Sequence, residues 1–246
     1  PSLIQQELVD AGFHGRKSGR GFFDYREGAA RPEPRSMVVQ AEPDDIVLHG
    51  ESAAVLALAD RLHERGLAYT WGSADDGRIA EVSGAVVFVT DGRSATRRAA
   101  ESGIPNTVLI DLALDYTRAT RLAVSMAQSC WAPAAAGAMA LLQAAGFSVS
   151  RFGDVPGLAV MRTVAMLANE AADAVNQGVC DAPGADAAMQ LGVNYPRGPL
   201  AWADAVGLPA IRRVLANLGQ FYGEDRYRIS PLIQQQVFAG KKIHDR

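Results

Sequence analysis

The sequence predicts two folded parts in succession, an α/β domain and then an all-α domain, with a helix and turn ahead of both. Three observations carry this prediction. Between residues 46 and 112, short apolar runs alternate with helical stretches. From residue 156 onward, apolar residues recur at helical spacing between proline and glycine boundaries. A segment at the N-terminus is repeated near the other end of the chain. With 48% apolar and 21% charged residues, the composition is that of a soluble globular protein. A formal charge of -3 gives no basic footprint for nucleic acid.

The repeat comes first in the chain. Residues 2–12 read SLIQQELVDAG and residues 231–240 read PLIQQQVFAG, each passing from LIQQ to Ala-Gly. The second copy closes a helical region, whereas the first follows Pro1 directly. Residues 1–25 are therefore expected to be the tail of a second, related helical domain. In that tail Leu3, Ile4, Leu8 and Val9 form an apolar stripe, and Gly12 can end the helix. The following GRKSGRGFFDY (15–25) reads as a glycine turn that returns Phe22, Phe23 and Tyr25 to a core. Most of these seven side chains are expected to be buried, docked on the related helical domain at 156–246 in the same chain or, by a swap-like exchange, in a partner chain. Residues 26–45, with three prolines and many charges, read as a linker.

Strands are predicted at 46–49, 67–71, 85–89 and 107–112, with a helix over 52–65. This βαβ pattern implies a small parallel sheet of Rossmann-like form over residues 46–150. A dinucleotide loop needs glycines for the tight turn, for phosphate approach and for close helix packing. The corresponding run is Gly50-Glu51-Ser52-Ala53-Ala54-Val55, in which Gly50 alone survives. Ser52 and Val55 add bulk, Glu51 brings an anion to the helix start, and Trp71-Gly72 stands where strand two would end in an acid. The loop at Gly50, Ser52 and Val55 is read as degenerate, with no cofactor-binding residues. The Ala-rich run 132–142 is too short for a membrane span and reads as a buried helix.

The helical domain is assigned to 151–246. Val160, Val164, Leu167, Ala171 and Val175 predict one apolar helix face, ended by Gly178. Asp181 is the expected N-cap of a short helix with Pro183 in its first turn and Gly192 at its stop. Pro199 and Pro209 open further helices, the second reaching about Tyr222, for three or four helices in all. Asn169 and Glu170 are read as an exposed face or an interhelical hydrogen bond. The four histidines (His14, His49, His63, His244) and two cysteines (Cys130, Cys180) show no metal-ligand spacing, so no metal is expected.

Pro156-Gly157, Asn169-Glu170-Ala171, Gly178-Val179, Tyr195-Pro196-Arg197-Gly198-Pro199-Leu200, Asp204 and Gly207-Leu208, together with GRKSGRGFFDY, resemble the 3-hydroxyacyl-CoA dehydrogenases. A degenerate α/β domain followed by a helical domain is similar to the C-terminal half of the long, tandem-domain members linked to phenylacetate degradation and β-oxidation. The resemblance implies a cytoplasmic, NAD-dependent parent enzyme that oxidises 3-hydroxyacyl-CoA to 3-oxoacyl-CoA and pairs through its helical domains as a homo-oligomer. It also implies a histidine–glutamate dyad, yet there is no histidine between His63 and His244 and no acid between Asp115 and Asp154. Met161 stands where active members carry asparagine before Arg162. The expectation is a segment with no catalytic residues and no cofactor of its own, whose acyl-CoA and NAD are met by a missing N-terminal half. A non-enzymatic scaffold that retained only the fold is the alternative, and neither nucleic acid nor membrane is an expected partner.

Overall fold

The computed structural model describes residues 3–245. Residues 1–35 and 36–246 form two compact units, taken here one at a time.

In the first unit, helix α1 spans Leu3–Asp10 and a 3-10 turn spans Arg16–Ser18. The glycine turn forms as the sequence suggests. Gly15 and Arg20 pair as a bridge, and a Cβ at Gly21 would lie 2.8 Å from the Gly15 Cα, so the two backbone segments touch where only glycine fits. Arg20 stacks on Phe13 at 4.5 Å and Phe23 meets Tyr25 edge-on. Within this unit alone the apolar side chains stay largely uncovered. Leu3 is 78% exposed and Phe22 69%, and of the seven apolar side chains only Leu8 is half-buried. An eight-residue helix and a tight turn enclose too little volume to bury their own apolar faces.

The second unit opens on the sheet. Its elements are β1 (Val47–His49), α2 (Ala53–Glu64), β2 (Thr70–Gly72), β3 (Arg78–Val82), β4 (Ala85–Val89), α3 (Ala95–Ser102), β5 (Thr107–Ile110), β6 (Arg121–Met126), α4 (Ala132–Ala144) and β7 (Ser148–Arg151). Strand order is β2-β1-β3-β4-β5-β6-β7. The α/β class stands, but the sheet is mixed where a parallel one is predicted. β1–β2, β4–β5 and β6–β7 are parallel, while β1–β3, β3–β4 and β5–β6 are antiparallel.

One cause of the mixture is local. Ser83 and Gly84 both take positive φ between the paired residues Val82 and Ala85. This two-residue turn matches the twist of the flanking strands and folds β3 back along β4 as a hairpin. Helix α4 lies across that hairpin at Gly137, where a Cβ would come within 2.3 Å of the Ser83 Cβ. Met37, inside the predicted linker, bridges to Val149 on the edge strand β7, and the Gln143 amide holds the Met37 carbonyl at 2.5 Å. That segment covers an edge that would otherwise present unpaired backbone groups.

Helices α5 (Val160–Asn176), α6 (Ala182–Val193), α7 (Pro199–Val206), α8 (Leu208–Tyr222) and α9 (Pro231–Ala239) complete the unit. Asp181 caps α6 as expected, its carboxylate accepting the Gly184 N–H at 2.8 Å. The helix passes Gly192 and ends at Asn194 in the left-handed conformation. The buried stripe of α5 is Met161, Val164, Ala165, Ala168, Asn169, Ala172 and Val175. It is rotated from the predicted face, which leaves Val160 37% exposed. Leu200, Ile211, Leu215, Leu218, Leu232 and Ile233 fill the core against it.

Candidate functional site

β1, β4 and β5 point the same way, and a cleft of about 650 Å3 opens outside their carboxyl ends. In open α/β sheets this is where ligands bind. Ser52, Ala53 and Ala54 follow β1, Thr90 and Asp91 follow β4, and Leu112–Thr117 follow β5. The facing wall is helical: Met161 of α5, Trp202 and Val206 of α7, and Ala210, Arg213 and Val214 of α8, with Arg197 at the edge.

Three contacts hold the two walls together. Asp111, at the end of β5, is 1% exposed and accepts the N–H groups of Ala159, Val160 and Met161 at 2.9, 2.7 and 3.0 Å. A buried carboxylate thus supplies the missing acceptors at the start of α5, where the helix dipole favours negative charge. Gly92, at φ +92, lies so close to α8 that a Cβ would stand 2.6 Å from the Val214 carbonyl. Asn217 donates to the Asp91 carbonyl at 2.9 Å.

The charges of the cleft are unevenly matched. The Asp91 carboxylate takes Arg93 at 2.6 Å and Arg98 at 2.7 Å. Burial acts to raise its pKa, but the two guanidiniums outweigh burial and hold it below the usual carboxylate range. Burial in turn pulls Arg98 down, against the attraction of Asp91. Asp115 is lowered chiefly by the Thr117 hydroxyl, and burial pushes the Tyr116 phenol up. Arg197 and Arg213 have no hydrogen-bond or ion-pair partner among the described residues.

Of the loop residues singled out from the sequence, Ser52 alone lines the cleft. It is the N-cap residue of α2, but its hydroxyl caps no N–H. Gly50 makes the turn at φ +75, and Val55 is fully buried. Gly72 ends β2 beneath the His49 ring, where a Cβ would lie 2.4 Å from Cε1. Met161 reaches the cleft wall. Asn169 does not; it is buried, donating to the Arg228 carbonyl and accepting from the Ser230 N–H, each at 2.8 Å. Glu170 is exposed.

No histidine is among the residues lining the cleft. His49 sits 2.9 Å from Glu81, and His244 lies between Asp204 at 2.7 Å and Asp186 at 3.2 Å. Among the described residues no group of three His, Cys, Asp or Glu side chains is arranged to hold a metal ion, and no helix is long and apolar enough to cross a membrane. Asp91, Asp111, Trp202 and Arg213 escape the sequence reading. The one available signal is an acid at the end of an apolar run, Asp111 directly after Ile110 and Asp91 two residues after Val89.

Comparison with known proteins fits this architecture. Residues 87–156 match the 3-hydroxybutyryl-CoA dehydrogenase reduced Rossmann-fold domain, and residues 157–244 match the 3-hydroxyacyl-CoA dehydrogenase C-terminal domain. The chain is 35% identical over 237 residues to the 3-hydroxyadipyl-CoA dehydrogenase of Escherichia coli K12, covering 96% of this chain and 44% of that protein. It is 40% identical over 87 residues to a probable 3-hydroxybutyryl-CoA dehydrogenase of Deinococcus radiodurans, covering 35% of this chain and 31% of that protein. Among solved structures, 3-hydroxybutyryl-CoA dehydrogenase from Escherichia coli K12 superposes with a TM-score of 0.79 at 33% identity, over 97% of this chain and 44% of that one. The chain thus spans less than half the length of these relatives. Through its reduced Rossmann-fold domain and the C-terminal domain that follows, the chain belongs to the 3-hydroxyacyl-CoA dehydrogenase family.

Proposed function

We propose that the whole protein is an NAD-dependent dehydrogenase converting 3-hydroxyacyl-CoA to 3-oxoacyl-CoA, with hydride transfer performed by residues outside 1–246. The observation that carries this is the β1–α2 turn. A pyrophosphate needs glycine where Ser52 stands, and helix and strand would close on a glycine where Val55 is fully buried. At the end of β2 a ribose-binding acid would collide with His49. These residues do not fit a dinucleotide, and the cleft lining offers no imidazole to take a hydroxyl proton.

In this reading residues 36–246 serve assembly, and the helical domain is where the protein self-associates. Val179, Leu191, Val193, Phe221 and Phe238 are exposed on it, with Leu191 at 85%. The test pairs a binding and an activity measurement. Residues 1–246 should show no NAD binding by titration calorimetry and no oxidation of 3-hydroxybutyryl-CoA, while the longer protein does both. A micromolar NAD site on residues 1–246 would refute the reading. Light scattering that finds a clean monomer at high concentration would refute the assembly role.

A further inference from the structure

We propose that the cleft between sheet and helices binds a small amphiphile, an apolar body carrying one anionic terminus, and holds it without chemistry. The volume of about 650 Å3 falls within the range of sites that enclose small organic ligands. Val89, Leu112, Met161, Trp202, Val206 and Val214 make its wall largely apolar. An inorganic anion would leave that surface in contact with water, so the occupant has an apolar part.

Charge decides the other end. Four charged side chains border the space: Asp91, Asp115, Arg197 and Arg213. Asp91 is already matched by Arg93 and Arg98, and Asp115 is engaged by the Thr117 hydroxyl and the N–H groups of Thr117 and Arg118. Arg197 and Arg213, both exposed, keep all their donors free among the described residues. Two unmatched guanidiniums beside an apolar wall complement a carboxylate or phosphate on a hydrocarbon.

The cleft is also preformed. Asp111, Gly92 and Asn217 tie its two walls together, so a ligand need not order them on arrival. The dehydrogenase reading is not required for this proposal, because NAD binding and amphiphile binding are measured separately and can fail separately.

Titration calorimetry on residues 1–246 with decanoate, decyl phosphate and decanol tests the assignment. At least one of the anions should bind about tenfold or more tighter than decanol, as expected for charge-assisted hydrogen bonds. Whichever head group prevails identifies the anion. The Arg197→Gln/Arg213→Gln double variant, which removes two unpartnered exposed side chains, should erase that advantage and leave the melting temperature unchanged. Ala210→Trp should obstruct part of the cleft and weaken binding of all three at least about tenfold. Anions that bind no tighter than decanol, binding that survives the double variant, or no binding at all would overturn the proposal.

Discussion

The Asp111 carboxylate accepts the Met161 N–H at 3.0 Å, joining the end of a sheet strand to the first turn of a helix fifty residues later. Two further N–H groups of that turn share it, and the carboxylate is buried. Asp111→Asn would point an amide N–H at donors. A stability loss of about 2–3 kcal/mol is expected, the contribution of charge-assisted hydrogen bonds to a buried carboxylate. Urea denaturation measures it, and a loss under half a kilocalorie would mean that Asp111 does not hold the walls together.

Asp91 lies among the guanidiniums of Arg93 and Arg98, and Arg98 is itself buried. Asp91→Asn leaves a buried cation uncompensated and should cost about 3–5 kcal/mol at neutral pH. Because the folded pKa is depressed, the stabilisation is complete above the unfolded value of about 3.9 and disappears as pH falls through the folded one. The stability gap between wild type and variant should therefore be constant from pH 7 to about 4 and narrow below that. A gap already closing at pH 6 would contradict the assignment.

Asn169 satisfies two backbone groups of the turn before α9, the Arg228 carbonyl and the Ser230 N–H. Asn169→Leu conserves volume but strands both, and should destabilise by about 2–4 kcal/mol at about 1–3 kcal/mol per orphaned group. Hydrogen exchange should show the Ser230 amide opening first. An unchanged exchange rate there would deny the side chain its role.

The repeat sets up a paired comparison. Leu232 is 1% exposed within the helical core, whereas Leu3, its counterpart, is 78% exposed. Leu232→Ala should lower stability by about 2–5 kcal/mol, and Leu3→Ala by no more than about 0.5 kcal/mol. Equal losses in residues 1–246 would mean that α1 is buried in solution.

Local chemistry was readable along the chain. The Asp181 cap depends on a contact three residues away, the Gly15–Gly21 turn on glycine alone, and the buried character of α4 on its composition. The hairpin at Ser83-Gly84 was equally local, but Arg78 and Glu81 interrupt the apolar run of the five-residue strand Arg78–Val82. Polar residues interrupt β6 and β7 in the same way. The stripe of α5 was misplaced because apolar residues lie on both sides of it, and periodicity cannot choose which side meets a neighbour.

The sequence by itself determined the two-part architecture, the family resemblance and the loss of glycine from the β1–α2 turn, because each is written in residue type and spacing. Only the tertiary structure decided that the strand-end acids Asp91 and Asp111 clamp helices rather than face water. It alone placed Arg197 and Arg213 beside an apolar wall with no ion-pair partner among the described residues. A carboxylate has the same composition buried or solvated. What it does depends on N–H groups and guanidiniums supplied by distant segments, and those distances exist only once the chain has closed on itself.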